Sequence, residues 1–220
     1  MTLPTMATTG GVPRLCAGDR LSRDEFERRY NAMPECKKAE LVEGVVYMPS
    51  PVTSSRHGEP HAMLMTWLGT YVAATPGVRC ADNATVRLDL DNEPQPDGLL
   101  RRLPEHGGRA RLSAEGYVEG PPELVVEVAA SSASYDLHDK LRAYRRNGVP
   151  EYLVWRTDDA AVDWFALRSG AYERLPHGTD GVVRSAVFAG LCLDVPALLA
   201  GDLAAVLRRL GDGLAARAVC

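Results

Sequence analysis

One run constrains this chain more than any other: Leu124-Val125-Val126-Glu127-Val128 places a single carboxylate inside an otherwise apolar stretch. Such a run reads as a buried strand. A buried charge without compensation is strongly unfavourable, so Glu127 needs a cation, hydrogen bonds or a metal. Two candidates flank it: Asp97, in Gln95-Pro96-Asp97, and Lys140, on the helix-like segment that follows. An Asp, a Glu and a Lys brought together would suit a metal-dependent hydrolytic site.

The pattern around this run predicts a mixed α/β fold. Ser22 followed by Asp24 and Glu25 reads as a capped helix reaching about Met33. Glu40 to Met48 reads as two strands about a Glu43-Gly44 turn, and Glu59 to Thr75 as a packed helix stopped by Pro76-Gly77. A half-exposed strand is expected over Ala84 to Leu90, then a loop from Asp97 to Gly120. Tyr135 to Asn147 reads as a helix ended by Gly148. On ideal helix geometry Lys140 falls roughly 60° from the Leu137, Leu141 and Tyr144 stripe, with Asp136 one turn before it. Strands are expected at Glu151 to Arg156, Val162 to Leu167, Tyr172 to Leu175 and Ala186 to Leu193, and a last helix at Leu203 to Leu210. The middle two form a hairpin through Ser169-Gly170. Strands clustered between helices favour a mixed sheet flanked by helices. Residues 1–19 read as a poorly ordered extension and 20–220 as one domain.

The 220 residues are 45% hydrophobic and 25% charged, as expected of a soluble domain. No stretch resembles a membrane span or a secretory signal, so a cytoplasmic protein is expected. Five cysteines without a CxxC pair support neither a disulfide framework nor a zinc site. A net charge of -4 supplies no global basic field, which weighs against a nucleic-acid binder without excluding one.

The ordered set Glu40-Leu41-Val42-Glu43-Gly44, Ser50-Pro51 with His57, Gln95-Pro96-Asp97, Glu123 to Val128, Asp136 with Lys140, and Gly148-Val149-Pro150-Glu151-Tyr152 resembles the Uma-two family of restriction-endonuclease-like proteins. The resemblance implies the PD-(D/E)XK nuclease core, a mixed sheet between helices, here with additional N-terminal strands and a C-terminal hairpin. It also implies that Asp97 and Glu127 hold Mg²⁺ or Mn²⁺ with the main-chain oxygen of Val128, and that Lys140 supplies the amine missing at Ala129. The implied substrate is DNA and the implied assembly a homodimer. Glu40, His57 and Asp136 match supporting positions.

Each residue also has a plainer reading. Glu127 and Lys140 fit a structural ion pair, Asp97 a turn, His57 and His61 surface or capping residues, and Asp136 a first-turn acid or a partner of Lys140. Three functions therefore stand: a metal-dependent DNA endonuclease, a catalytically degenerate binding module, or a hydrolase using Asp97 and Glu127 as acid and base. The last would want aromatic sugar platforms, yet Trp67, Trp155 and Trp164 all read as core.

Overall fold

The computed structural model describes residues 8–9, 11–48, 53–130 and 132–217, so Ser50-Pro51 and the cap position Ser131 lie outside the described residues. The centre is a six-stranded sheet in the order Ala171–Arg174, Ala161–Arg168, Glu151–Arg156, Leu124–Ala129, Gly98–Arg102, Val78–Asp82. Leu124–Ala129 runs parallel to Glu151–Arg156, and the other neighbours are antiparallel. The parallel pair requires a crossover, which the intervening helical segment supplies.

All six residues of Leu124–Ala129 are buried, because both faces of the strand are covered. Alternation sends Leu124, Val126 and Val128 to the face packed by Trp67, Leu68 and Tyr71 of the helix Glu59–Ala73 and by Val206 and Leu210 of the helix Leu203–Arg217. Val125 and Ala129 point the other way, into a cluster with Tyr144, Val149, Tyr152 and Val154. Glu127 shares their parity and lies under the helical segment that carries Lys140. The antiparallel register pairs Val126 with Gly98, so the next step along the pair brings Asp97 to the level of Glu127.

Several expectations change at the edges. Val78–Asp82 and Gly98–Arg102 are sheet strands that the sequence pattern conceals: the first lies at the sheet edge, and the second ends in Arg101-Arg102. The strand expected over Ala84 to Leu90 shrinks to Val86–Arg87, in a small sheet with Val118–Glu119 and Arg111–Leu112. Ala186 to Leu193 is not one strand. Val182–Arg184 pairs with Cys192–Asp194 across a turn. The hairpin through Ser169-Gly170 is present, and both turn residues have positive φ (49° and 82°), as a tight two-residue turn requires.

The N-terminal hairpin Glu40–Val42 and Val45–Tyr47 turns at Glu43-Gly44 in the same way. Leu41 packs with Leu15, Phe26, Met33 and Val46, and Gly18 N donates to Val46 O at 2.8 Å. Packed structure thus begins before Leu21, inside the segment expected to be a loose extension, because Leu15 supplies an apolar anchor. Leu41 and Glu93 exchange backbone hydrogen bonds (3.1 and 2.7 Å), which fixes the hairpin beside the segment leading to Asp97. Among the described residues, no helix is long and apolar enough to cross a membrane.

Glu93 supplies a pH dependence. Burial first, and then the neighbouring Glu27, push its carboxyl from 4.5 up to about 8. Between those values the folded chain holds a proton that the unfolded chain has released, so this group's contribution to stability is lost as pH rises through the window. Glu93→Gln keeps the neutral shape and is expected to flatten that slope. Urea unfolding at about pH 5 and about pH 9 should show the variant gaining on the wild type only at the higher pH. A wild-type-to-variant difference equal at both values would refute the assignment.

Candidate active site

The strand, the N-terminal hairpin and the helical segment after the strand converge on one ammonium. Lys140 Nζ lies 2.8 Å from Glu127 Oε1, 2.9 Å from Glu40 Oε1 and 3.8 Å from Asp136 Oδ1, and none of these four side chains is more than 5% exposed. Tyr144, one turn after Lys140, donates its hydroxyl to Glu127 Oε1 at 3.1 Å. Gln95 N donates to Glu40 Oε1 (2.7 Å), and Ser132 Oγ donates to Asp136 Oδ2 (2.6 Å). The predicted regular helix is broken here: a short α turn, Ala133–Tyr135, leads into a π turn, Asp136–Lys140, before Leu141–Arg146 resumes α geometry. Widened turns of this kind recur at functional sites.

Burial opposes the charge on Lys140, but Glu127, Glu40 and Asp136 outweigh it and hold the ammonium well above its ordinary value. Glu127 is raised, first by burial; Lys140 pulls it down, while Asp97, Asp136 and Glu40 push it further up. Asp136 is raised chiefly by burial as well. Three carboxyl groups share one ammonium, so ionising all of them would leave a surplus of negative charge, which the raised Glu127 and Asp136 oppose. Beside this cluster Tyr135 packs against Tyr47, with ring centroids 4.0 Å apart and the planes tilted by 31°, and its buried hydroxyl has no hydrogen-bond partner among the described residues.

Asp97 stands at the other edge of the strand. Its Oδ2 accepts from Val128 N at 2.8 Å, while Oδ1 faces His57 Nε2 at 3.5 Å and Lys38 Nζ at 3.7 Å. Burial disfavours the Asp97 charge, but the bond from His57, the charges of Lys38 and His57 and the bond from Val128 together hold the carboxyl below its ordinary range. His57 is raised, first by its bond to Asp97. Its other nitrogen, Nδ1, donates to Val128 O at 3.1 Å. His57 sits in a second π turn, Ser54–Gly58, closed by Gly58 N donating to Thr53 O. His61, stacked on His57 at 5.7 Å, directs Nε2 at both Asp97 O (2.9 Å) and Asp82 Oδ1 (3.0 Å).

The structure therefore joins Glu40, Glu127, Asp136 and Lys140 in one cluster and Asp97, Val128 and His57 in an adjoining one. The two histidines clamp the Asp97 segment, a role that neither the surface nor the capping reading anticipates. Lys38 was missed: nothing in its local sequence links it to a residue 59 positions later. Tyr144 reads in the sequence only as an apolar helix residue, although its spacing of four from Lys140 is the available signal for a shared face. Among the described residues, no group of three or more His, Cys, Asp or Glu side chains is arranged to hold a metal ion. A set of two carboxylates and a main-chain oxygen is of a different kind.

No curated protein matches the chain. Among solved structures, the fold is similar to a crystal structure described as "a putative nuclease belonging to DUF820" from Anabaena variabilis, with a TM-score of 0.62 and 17% identity, covering 82% of this chain and 98% of that one. At that identity the likeness establishes a common fold. A family model described as "Putative restriction endonuclease" matches residues 23–196, most of the chain, and spans both clusters. The chain belongs to this family, Uma2.

Proposed function

We propose that the protein is a divalent-metal-dependent nuclease that hydrolyses phosphodiester bonds of DNA, with Asp97 and Glu127 as its carboxylate ligands and the Val128 carbonyl beside them. The observation that supports this reading is the crowding of buried carboxyl groups: Glu40, Glu127 and Asp136 lie within 3.8 Å of a single ammonium, with Asp97 near enough to raise Glu127 further, an arrangement that an added cation would relieve. Chemically the donor set fits a hard cation such as Mg²⁺ or Mn²⁺, which takes carboxylate and carbonyl oxygens and keeps several waters. When bound, the ion would supply polarisation of a phosphoryl oxygen and a water of lowered pKa.

The chain's own groups prepare that site. Val128 N–H and His57 hold the Asp97 carboxylate in its ionised form. Lys140 and Tyr144 fix Glu127 through Oε1, and Lys140 ties Glu40 to the same point. Cutting both strands of a duplex needs two such sites, so this reading includes a homodimer.

The catalytically degenerate binding module is favoured by one observation, the near-complete sequestration of Lys140 by its carboxylates. Incubation of the purified protein with plasmid and oligonucleotide DNA separates the two. The nuclease reading expects cleavage with Mg²⁺ or Mn²⁺ that chelation abolishes and re-addition restores. Intact DNA with either ion across linear, nicked and single-stranded forms would leave the binding module standing.

A further inference from the structure

We propose that Lys38 is a cation that contacts the backbone phosphate of the substrate, an inference that rests on the nuclease reading above. An ammonium has three donors and no acceptor. Lys140 spends two of them on Glu127 and Glu40 at 2.8 and 2.9 Å, and its side chain is 4% exposed. In this arrangement its ammonium is committed to those carboxylates, which have no other cation in the cluster among the described residues.

Lys38 is placed differently. Its Nζ lies 3.7 Å from Asp97 Oδ1 and donates to Asn83 Oδ1 at 3.1 Å, and its side chain is 27% exposed. The Asp97 contact is too long for a hydrogen bond, so two donors remain for a ligand. Asn83 sits in an exposed turn with φ of 48°, and it holds the ammonium on the solvent side of Asp97. His57, 19% exposed, approaches the same Asp97 oxygen. Lys38 is thus more exposed than Asp97, and a phosphodiester approaching this side of the site from solvent meets its positive charge before the Asp97 carboxylate. An anion with a strongly held negative charge matches a compact, well-hydrated ammonium used as a point charge.

The competing account makes Lys38 only a partner of Asp97. Its test is duplex binding by fluorescence anisotropy over a salt series without divalent metal, run beside cleavage with Mg²⁺ or Mn²⁺. Loss of one phosphate contact is expected to lower the slope of log affinity against log salt by about 1 in Lys38→Ala, uniformly across sequences, which near ~0.1 M salt is roughly tenfold weaker binding. Lys38→Arg should recover most of the slope, and cleavage by Lys38→Ala should fall while its melting temperature stays near that of the wild type. A Lys38→Ala protein with wild-type slope and cleavage would overturn the inference and leave the nuclease reading intact. A wild type that cleaves nothing with either ion would overturn the nuclease reading, and this inference with it.

Discussion

Replacing Lys140 with methionine is expected to destabilise the protein by about 3–5 kcal/mol, the cost of removing one partner from a buried ion pair. Methionine keeps the length and most of the apolar stem, so the loss isolates the charge. What remains is Glu127, Glu40 and Asp136, each 5% exposed or less, with no cation between them. Some of that repulsion would be relieved by protonation, which the raised carboxyl of Glu127 already favours. For that reason the loss should be larger at about pH 8 than at about pH 5. Urea unfolding supplies the measurement, with Glu127→Gln as a second background: the Lys140→Met penalty should shrink there, because one of the stranded charges is gone. A loss below about 1 kcal/mol, the range of a solvent-screened surface pair, would show that the cluster is open to water and that the ammonium does not hold it together.

The charge in the apolar run was legible because a strand buried on both faces leaves a carboxylate no solvent to turn to. The same reasoning pointed to Lys140 as its partner, and the 2.8 Å contact follows from helix and strand being neighbours in sequence. Glu40 was visible only through the family resemblance. Its position beside Lys140 depends on the exchange between Leu41 and Glu93, a contact across 52 residues that no local pattern encodes. Asp97 stands out by its Pro-Asp setting, yet the strand beginning at Gly98 reads as loop in the sequence, because Leu99-Leu100 is followed by two arginines and the apolar stretch is short. The π turn Asp136–Lys140 departs from the 100° per residue of a regular helix, so a placement of Lys140 from ideal helix geometry does not hold there. Lys38 acts across a long sequence separation and only the folded chain reveals it, whereas His61 stands out in the sequence but its partners Asp97 and Asp82 do not.

Glu127→Gln should separate the site from the scaffold. The substitution preserves shape and leaves an amide oxygen that can accept from Tyr144 and Lys140, while Glu40 and Asp136 still face the ammonium. Because burial disfavours the Glu127 carboxylate, the melting temperature of the variant should match or exceed that of the wild type near neutral pH. Cleavage should fall sharply. Losing an outer partner of a metal ligand already costs roughly 10–100-fold in affinity or activity, so, if Glu127 is the direct ligand proposed, losing it should cost at least about 100-fold. Manganese uptake measured by calorimetry should weaken in parallel, which distinguishes a lost ligand from a slowed chemical step. Lys140→Met is expected to lose stability and Glu127→Gln to lose activity, so the two variants divide the functions of one ion pair between them. Cleavage within about twofold of wild type in Glu127→Gln would mean that the buried pair serves the fold alone and that hydrolysis takes place elsewhere.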